Sequence, residues 1–153
     1  MTTRQLLKLF HVPTKTPLML SQNVRPDRLT FPFVLIAIGG LGESYDAYSL
    51  SSVVYGQIMK LGLEFDTFVR VSLVDLYVNV GSLSLALQVF DESSERNKAE
   101  SILLWNIVVK GSCKNGQVEK AIEVFEAMPE RNLGSWNSLV DGLMRNGEVD
   151  KAI

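Results

Sequence analysis

Two stretches of this chain are near copies of one another: WNIVVKGSCKNGQVEKAI begins at Trp105, and WNSLVDGLMRNGEVDKAI begins 31 positions later at Trp136. The copies pair Asn106 with Asn137, Gly111 with Gly142, Asn115-Gly116 with Asn146-Gly147, and Val118 with Val149. A unit this short cannot bury its own apolar face, so a fixed period of this size demands stacking of neighbouring units into a solenoid. A third copy lies upstream, where SLVDLYVNVGSLSLALQVF aligns through Gly81, Ala86 and Phe90 at an offset of 35. The extra residues fall in the polar segment ESSERNKAES, which reads as a lengthened loop. A more divergent fourth copy runs from Arg28 to Asp66.

Each unit reads as two helices. Val118, Ala121, Ile122 and Phe125 recur at i, i+3, i+4 and i+7, as do Leu83, Ala86, Leu87 and Phe90, which makes one apolar stripe on a second helix. Gly81, Gly116 and Gly147 precede these stripes and predict the left-handed end of a first helix. Pro129 and Pro26 punctuate the units. The run LTFPFVLIAIGGLG is too short to cross a bilayer and predicts a buried helix. The expected fold is all-α, a right-handed superhelical solenoid of helix-turn-helix repeats.

The W-N-x-x-x-x-G head, the N-G turn and the closing A-I-E-V-F-E-A-M-P-E-R-N resemble the plant pentatricopeptide repeat family, in the subgroup that mixes repeat lengths. In its terms residues 28–66 are a long-type repeat, 67–101 a short-type repeat with an insertion, 102–132 a short-type repeat and 133–153 a repeat cut off in its second helix. Residues 1–27 read as an organelle presequence, because Arg4, Lys8 and Lys15 precede any acid, or as the tail of an earlier repeat. A solenoid that stops in mid-helix predicts a fragment or a truncated product.

The resemblance implies sequence-specific binding of single-stranded organellar RNA, with base recognition by the fifth and last residues of a repeat. Asn106 and Asn132 take those places in one unit and Asn137 the fifth place in the next; an Asn/Asn pair implies a pyrimidine, cytosine over uracil. Pro32 and Val71 hold the fifth place in the other units and cannot hydrogen-bond a base. Phe68 and Leu103, at the second place, would flank bases, whereas Gly134 could not. Lys114 and Arg145 lie where phosphate contact is expected, with Asn79 in the same place upstream. On residue chemistry alone, an Asn at a helix start is an N-cap, Trp105 and Trp136 are packing residues between helices, and Lys110 and Lys114 are a solvated face.

A net charge of −2 supplies no global attraction for nucleic acid, so contacts must be local. Cys113 is the single cysteine and His11 the single histidine, which leaves no metal set, no nucleophile–base pair and no cofactor motif. No enzyme activity, membrane association or small-molecule substrate is expected. Mixed-length relatives often carry a zinc deaminase-like domain; its H-x-E and C-x-x-C are missing from these residues, so editing chemistry would need a longer product or a partner protein. The expected compartment is the mitochondrion or the chloroplast. Two other readings stand beside this one: a tetratricopeptide-like scaffold that grips peptides, and a non-functional fragment whose few units bind too weakly.

Overall fold

The computed structural model describes residues 27–92 and 98–152. Every regular element among them is a helix: α1 Thr30–Gly39, α2 Tyr45–Lys60, α3 Thr67–Asn79, α4 Leu83–Asp91, α5 Lys98–Lys114, α6 Val118–Ala127, α7 Leu133–Arg145 and α8 Val149–Ala152. They alternate as hairpins, α1 with α2, α3 with α4, α5 with α6 and α7 with α8. The first helices also pack in series, α1 on α3, α3 on α5 and α5 on α7. The second helices instead lean on the following first helix, α4 on α5 and α6 on α7, with no comparable contact among themselves. A layer of first helices packed closely beneath a more open layer of second helices is the solenoid expected from the repeat.

The turns are set by a few residues. Gly81, Gly116 and Gly147 all have φ between 71° and 77°. In each, the next amide closes back on the carbonyl five residues before it: Ser82 N to Tyr77 O at 2.8 Å, Gln117 N to Ser112 O at 2.8 Å, Glu148 N to Leu143 O at 2.9 Å. This closure satisfies carbonyls that the helix end would orphan, and it requires the left-handed residue that glycine supplies. Helix starts are capped by side chains: Ser44 accepts from Ala47 N, and Asp66 accepts from Phe68 N and Val69 N. Arg131 secures the end of α6 by donating to the Phe125 and Glu126 carbonyls at 3.0 and 2.7 Å.

The core follows the predicted stripes with one shift. Val118, Ala121, Val124 and Phe125 are buried in α6, and Leu83, Ala86, Val89 and Phe90 in α4, while Ile122 and Leu87 are only partly covered. Val124 and Val89 are buried in place of the expected Ile122 and Leu87, and Val89 lies beside Tyr55 and Met59 of α2 and Arg70 and Leu73 of α3. The apolar run around α1 buries Phe31, Val34, Leu35 and Ile38 but leaves Leu29, Phe33 and Ile36 exposed, so this helix is covered on one side only. The insertion before Trp105 is not wholly loop. Lys98–Ser101 extend α5 at its start, making it 17 residues long against 13 in α3 and α7, as expected for a run rich in helix formers.

Trp105 packs edge-on against Phe90 at 4.7 Å between ring centres, and Trp136 against Phe125 at 4.8 Å. Each indole thus ties the second helix of one hairpin to the first helix of the next, the packing role read from the sequence. Glycine sets the spacing of the first helices. A β-carbon at Gly142 would overlap the Cys113 side chain, and one at Gly111 would overlap Val78.

Candidate nucleic-acid interface

On a first helix, residues at the second, fifth, ninth and thirteenth places share one stripe, because successive steps of three and four return to the same face. On α5 that stripe is Leu103, Asn106, Lys110 and Lys114; on α7 it is Gly134, Asn137, Asp141 and Arg145; on α3 it is Phe68, Val71, Asp75 and Asn79. Leu103 and Phe68 are 52% and 58% exposed, so both predicted base-flanking side chains stand in solvent rather than in the core. Asn137, Lys110, Lys114 and Arg145 are exposed too.

Asn106 is half-buried, and its Oδ1 is enclosed with no hydrogen-bond partner among the described residues. A buried amide oxygen left unpaired is costly, which marks Asn106 as a side chain whose place is not explained by packing alone. Asn132 is exposed at the start of α7, where its Oδ1 accepts from Ser135 N at 2.9 Å and from Ser135 Oγ at 3.1 Å, while Ser135 Oγ accepts in return from Asn132 N at 3.2 Å. This reciprocal pair is a capping box. The N-cap reading of an asparagine therefore applies to Asn132 and not to Asn106, which lies inside α5. Asn132 retains its amide Nδ2 as a donor.

The two amides meet around Gly134. A β-carbon there would sit 3.1 Å from Asn132 Oδ1 and 3.6 Å from Asn106 Nδ2. Reading Gly134 only as a missing base-flanking residue overlooked this; the signal lay in a glycine placed between two polar residues that stacking brings together.

Beside them a groove of about 460 Å³ runs between α5 and α7, lined by Lys110, Cys113, Lys114, Ser138, Asp141, Gly142, Arg145 and Asn146. It collects three cations and one carboxylate, a local positive stripe in a chain whose net charge is −2. Lys114 Nζ donates to Asn79 Oδ1 at 2.9 Å, and Asn79 Nδ2 donates to Asp75 Oδ2 at 3.2 Å, a polar chain linking α5 to α3. Arg145 Nε is paired with Asp141 Oδ2 at 2.8 Å. Both cations predicted to meet phosphate lie in the groove, each already holding a protein partner that the sequence reading did not identify. On the floor, Asn146 Nδ2 donates to the Cys113 and Gly142 carbonyls at 2.9 and 2.8 Å, and burial, with a smaller push from Asp141, raises the Cys113 thiol above its ordinary pKa.

His11 lies outside the described residues. Among those that are described, no group of three or more metal-ligating side chains comes together, and no helix is long and apolar enough to cross a membrane.

A family model described as PPR repeat matches residues 103–133 and 134–153, one position later than the units drawn from the sequence. The chain is 46% identical over 118 residues to a pentatricopeptide repeat-containing protein of Arabidopsis thaliana, an alignment covering 77% of the chain and 17% of that relative. It is 34% identical to a mitochondrial and 33% identical to a chloroplastic protein of the same description and organism, each over 72% of the chain and over 16% and 13% of the relative. The chain therefore spans about one-sixth or less of the length of these relatives.

Proposed function

The chain belongs to the pentatricopeptide repeat family, and from that premise we propose that it is the RNA-reading part of a single-stranded RNA-binding protein of plant organelles, without catalytic activity of its own. The observation that carries the reading is the convergence of Asn106 and Asn132 around Gly134, next to the cationic groove between α5 and α7. A side-chain amide can hydrogen-bond an unpaired base edge, and with its oxygen held by the α7 cap Asn132 does so through its Nδ2 donor. Asn106 and Asn132 recognise one base, a pyrimidine with cytosine preferred, and Asn137 contacts the next. Phe68 and Leu103 offer apolar surface to base faces. Lys114 and Arg145 hold the backbone, and their cost in salt sensitivity is the usual one for phosphate contacts.

The relatives named mitochondrial and chloroplastic support an organellar setting. Within it the proposed task is RNA maturation, in particular editing, with a partner or a further domain supplying the deaminase chemistry. The repeat units at 28–66, 67–101, 102–132 and 133–153 are the proposed recognition modules, one helix pair to each, with the first turn of α5 reaching back across the 101/102 boundary to Lys98. A protein-gripping scaffold has no specific observation in its favour.

The test is binding of a pyrimidine-containing single-stranded RNA by fluorescence anisotropy, comparing the chain with Asn106→Ala/Asn132→Ala. The reading expects affinity to fall by about tenfold or more, as for loss of hydrogen bonds to a single base. An unchanged affinity with the fold intact rejects it.

A further inference from the structure

The ninth place of the groove stripe alternates in charge along the solenoid: Asp75 on α3, Lys110 on α5 and Asp141 on α7. The two carboxylates are not equivalent. Asp75 is half-buried and accepts from Asn79, whose own oxygen receives Lys114 from the next helix, so it belongs to a link between neighbouring units. Asp141 makes no such link. It faces the groove and closes on Arg145 of its own helix, with the two side chains 57% and 77% exposed. Lys110 lies in the same groove with no partner among the described residues.

We infer that Asp141 is a specificity-determining residue of this groove: it occupies Arg145 until an anion of the nucleic-acid backbone displaces it, and so sets how much phosphate attraction adds to base recognition. The inference rests on the single-stranded RNA reading above and deepens it. Three physical facts point the same way. An exposed ion pair at i, i+4 is weak and exchanges easily, so the guanidinium can turn to a phosphate. The planar fork of arginine suits a phosphate as well as it suits a carboxylate. A fixed carboxylate among three cations also repels any backbone that enters, which penalises binding by charge alone and leaves binding by fitted bases less affected.

The experiment compares wild type, Asp141→Asn, Arg145→Gln, the double variant and, as an exposed pair on the second-helix layer, Glu123→Gln, whose partner there is Lys120. Two probes are used across a salt series: a pyrimidine-containing single-stranded RNA and inorganic polyphosphate. The expected result is that Asp141→Asn tightens polyphosphate at low salt by roughly two- to fivefold and the RNA by less, and steepens the salt dependence by about 0.7, one additional phosphate contact. The gain should be smaller in the double variant, where only the relief of repulsion remains, and Glu123→Gln should change nothing. Equal or weaker binding of both probes by Asp141→Asn overturns the inference. So does RNA that binds with affinity unaltered by Asp141→Asn while polyphosphate tightens, because the strand then bypasses this groove. If polyphosphate tightens and RNA does not bind any variant, the RNA reading fails and the Asp141-gated anion site stands.

Discussion

At the residue scale, Asn132 carries two duties that can be separated. Its oxygen is committed to the cap of α7, while its amide nitrogen remains for a ligand. Asn132→Ala removes both, at a cost of about 1 kcal/mol in stability. Asn132→Ser restores a capping oxygen and should return stability to within a few tenths of a kcal/mol, without restoring RNA affinity. Urea titration and anisotropy on the same samples distinguish the two effects. Gly142→Ala addresses the close approach of α7 to α5: its added methyl meets Cys113, so a loss of about 1–3 kcal/mol is expected by urea denaturation.

At the scale of elements, the indoles decide how hairpins stay in register. Trp105 is half-buried against Phe90, and Trp136, set edge-on against Phe125 in the same way, is 53% exposed. Trp105→Ala is expected to cost about 2–3 kcal/mol and Trp136→Ala about half of that, read from the midpoints of chemical unfolding. These helices were largely legible in the sequence, because their signals are local: Gly81, Gly116 and Gly147 end first helices by their own conformational freedom, and the apolar stripes follow the helical period. The packing role of the tryptophans was legible for the same reason. What could not be read depends on which side of a helix its neighbours cover. Val124 and Val89 are buried where Ile122 and Leu87 were expected, and Val89 sits against α2 and α3 rather than on the stripe that the period alone marks. The start of α5 at Lys98 was hidden because a polar insertion looks like a loop until it is seen continuing a helix. At the site, the groove stripe was legible as a spacing, whereas the contacts of Lys114 with Asn79 and of Arg145 with Asp141 arise from stacking and rotamer choice.

For the whole molecule, stability at high pH should turn on Tyr77. It is buried between hairpins, and burial, helped by nearby Tyr55 and Tyr48, pushes its hydroxyl up to about 12. The folded state thus holds the phenolic proton more tightly than the unfolded chain, whose tyrosines ionise near 10. The contribution is fully present below the unfolded value and is lost as pH rises towards the folded one, a window of roughly two units worth up to about 2–3 kcal/mol. Circular dichroism during alkaline titration should show that loss, and Tyr77→Phe should remove most of its steepness. Binding should respond to salt rather than to net charge, since the attraction is confined to one groove.

The central claim, that the first-helix layer presents amide side chains to unpaired bases, is tested most directly by the side-chain amide resonances of the isotopically labelled chain during titration with a pyrimidine-containing single-stranded RNA. The predicted result is movement of the Asn106, Asn132 and Asn137 signals, while that of Asn115, whose amide already donates to the Gly111 carbonyl and which does not line the groove, stays in place. Saturating RNA that leaves the first three unmoved, or that perturbs residues of α4 and α6 instead, would contradict it.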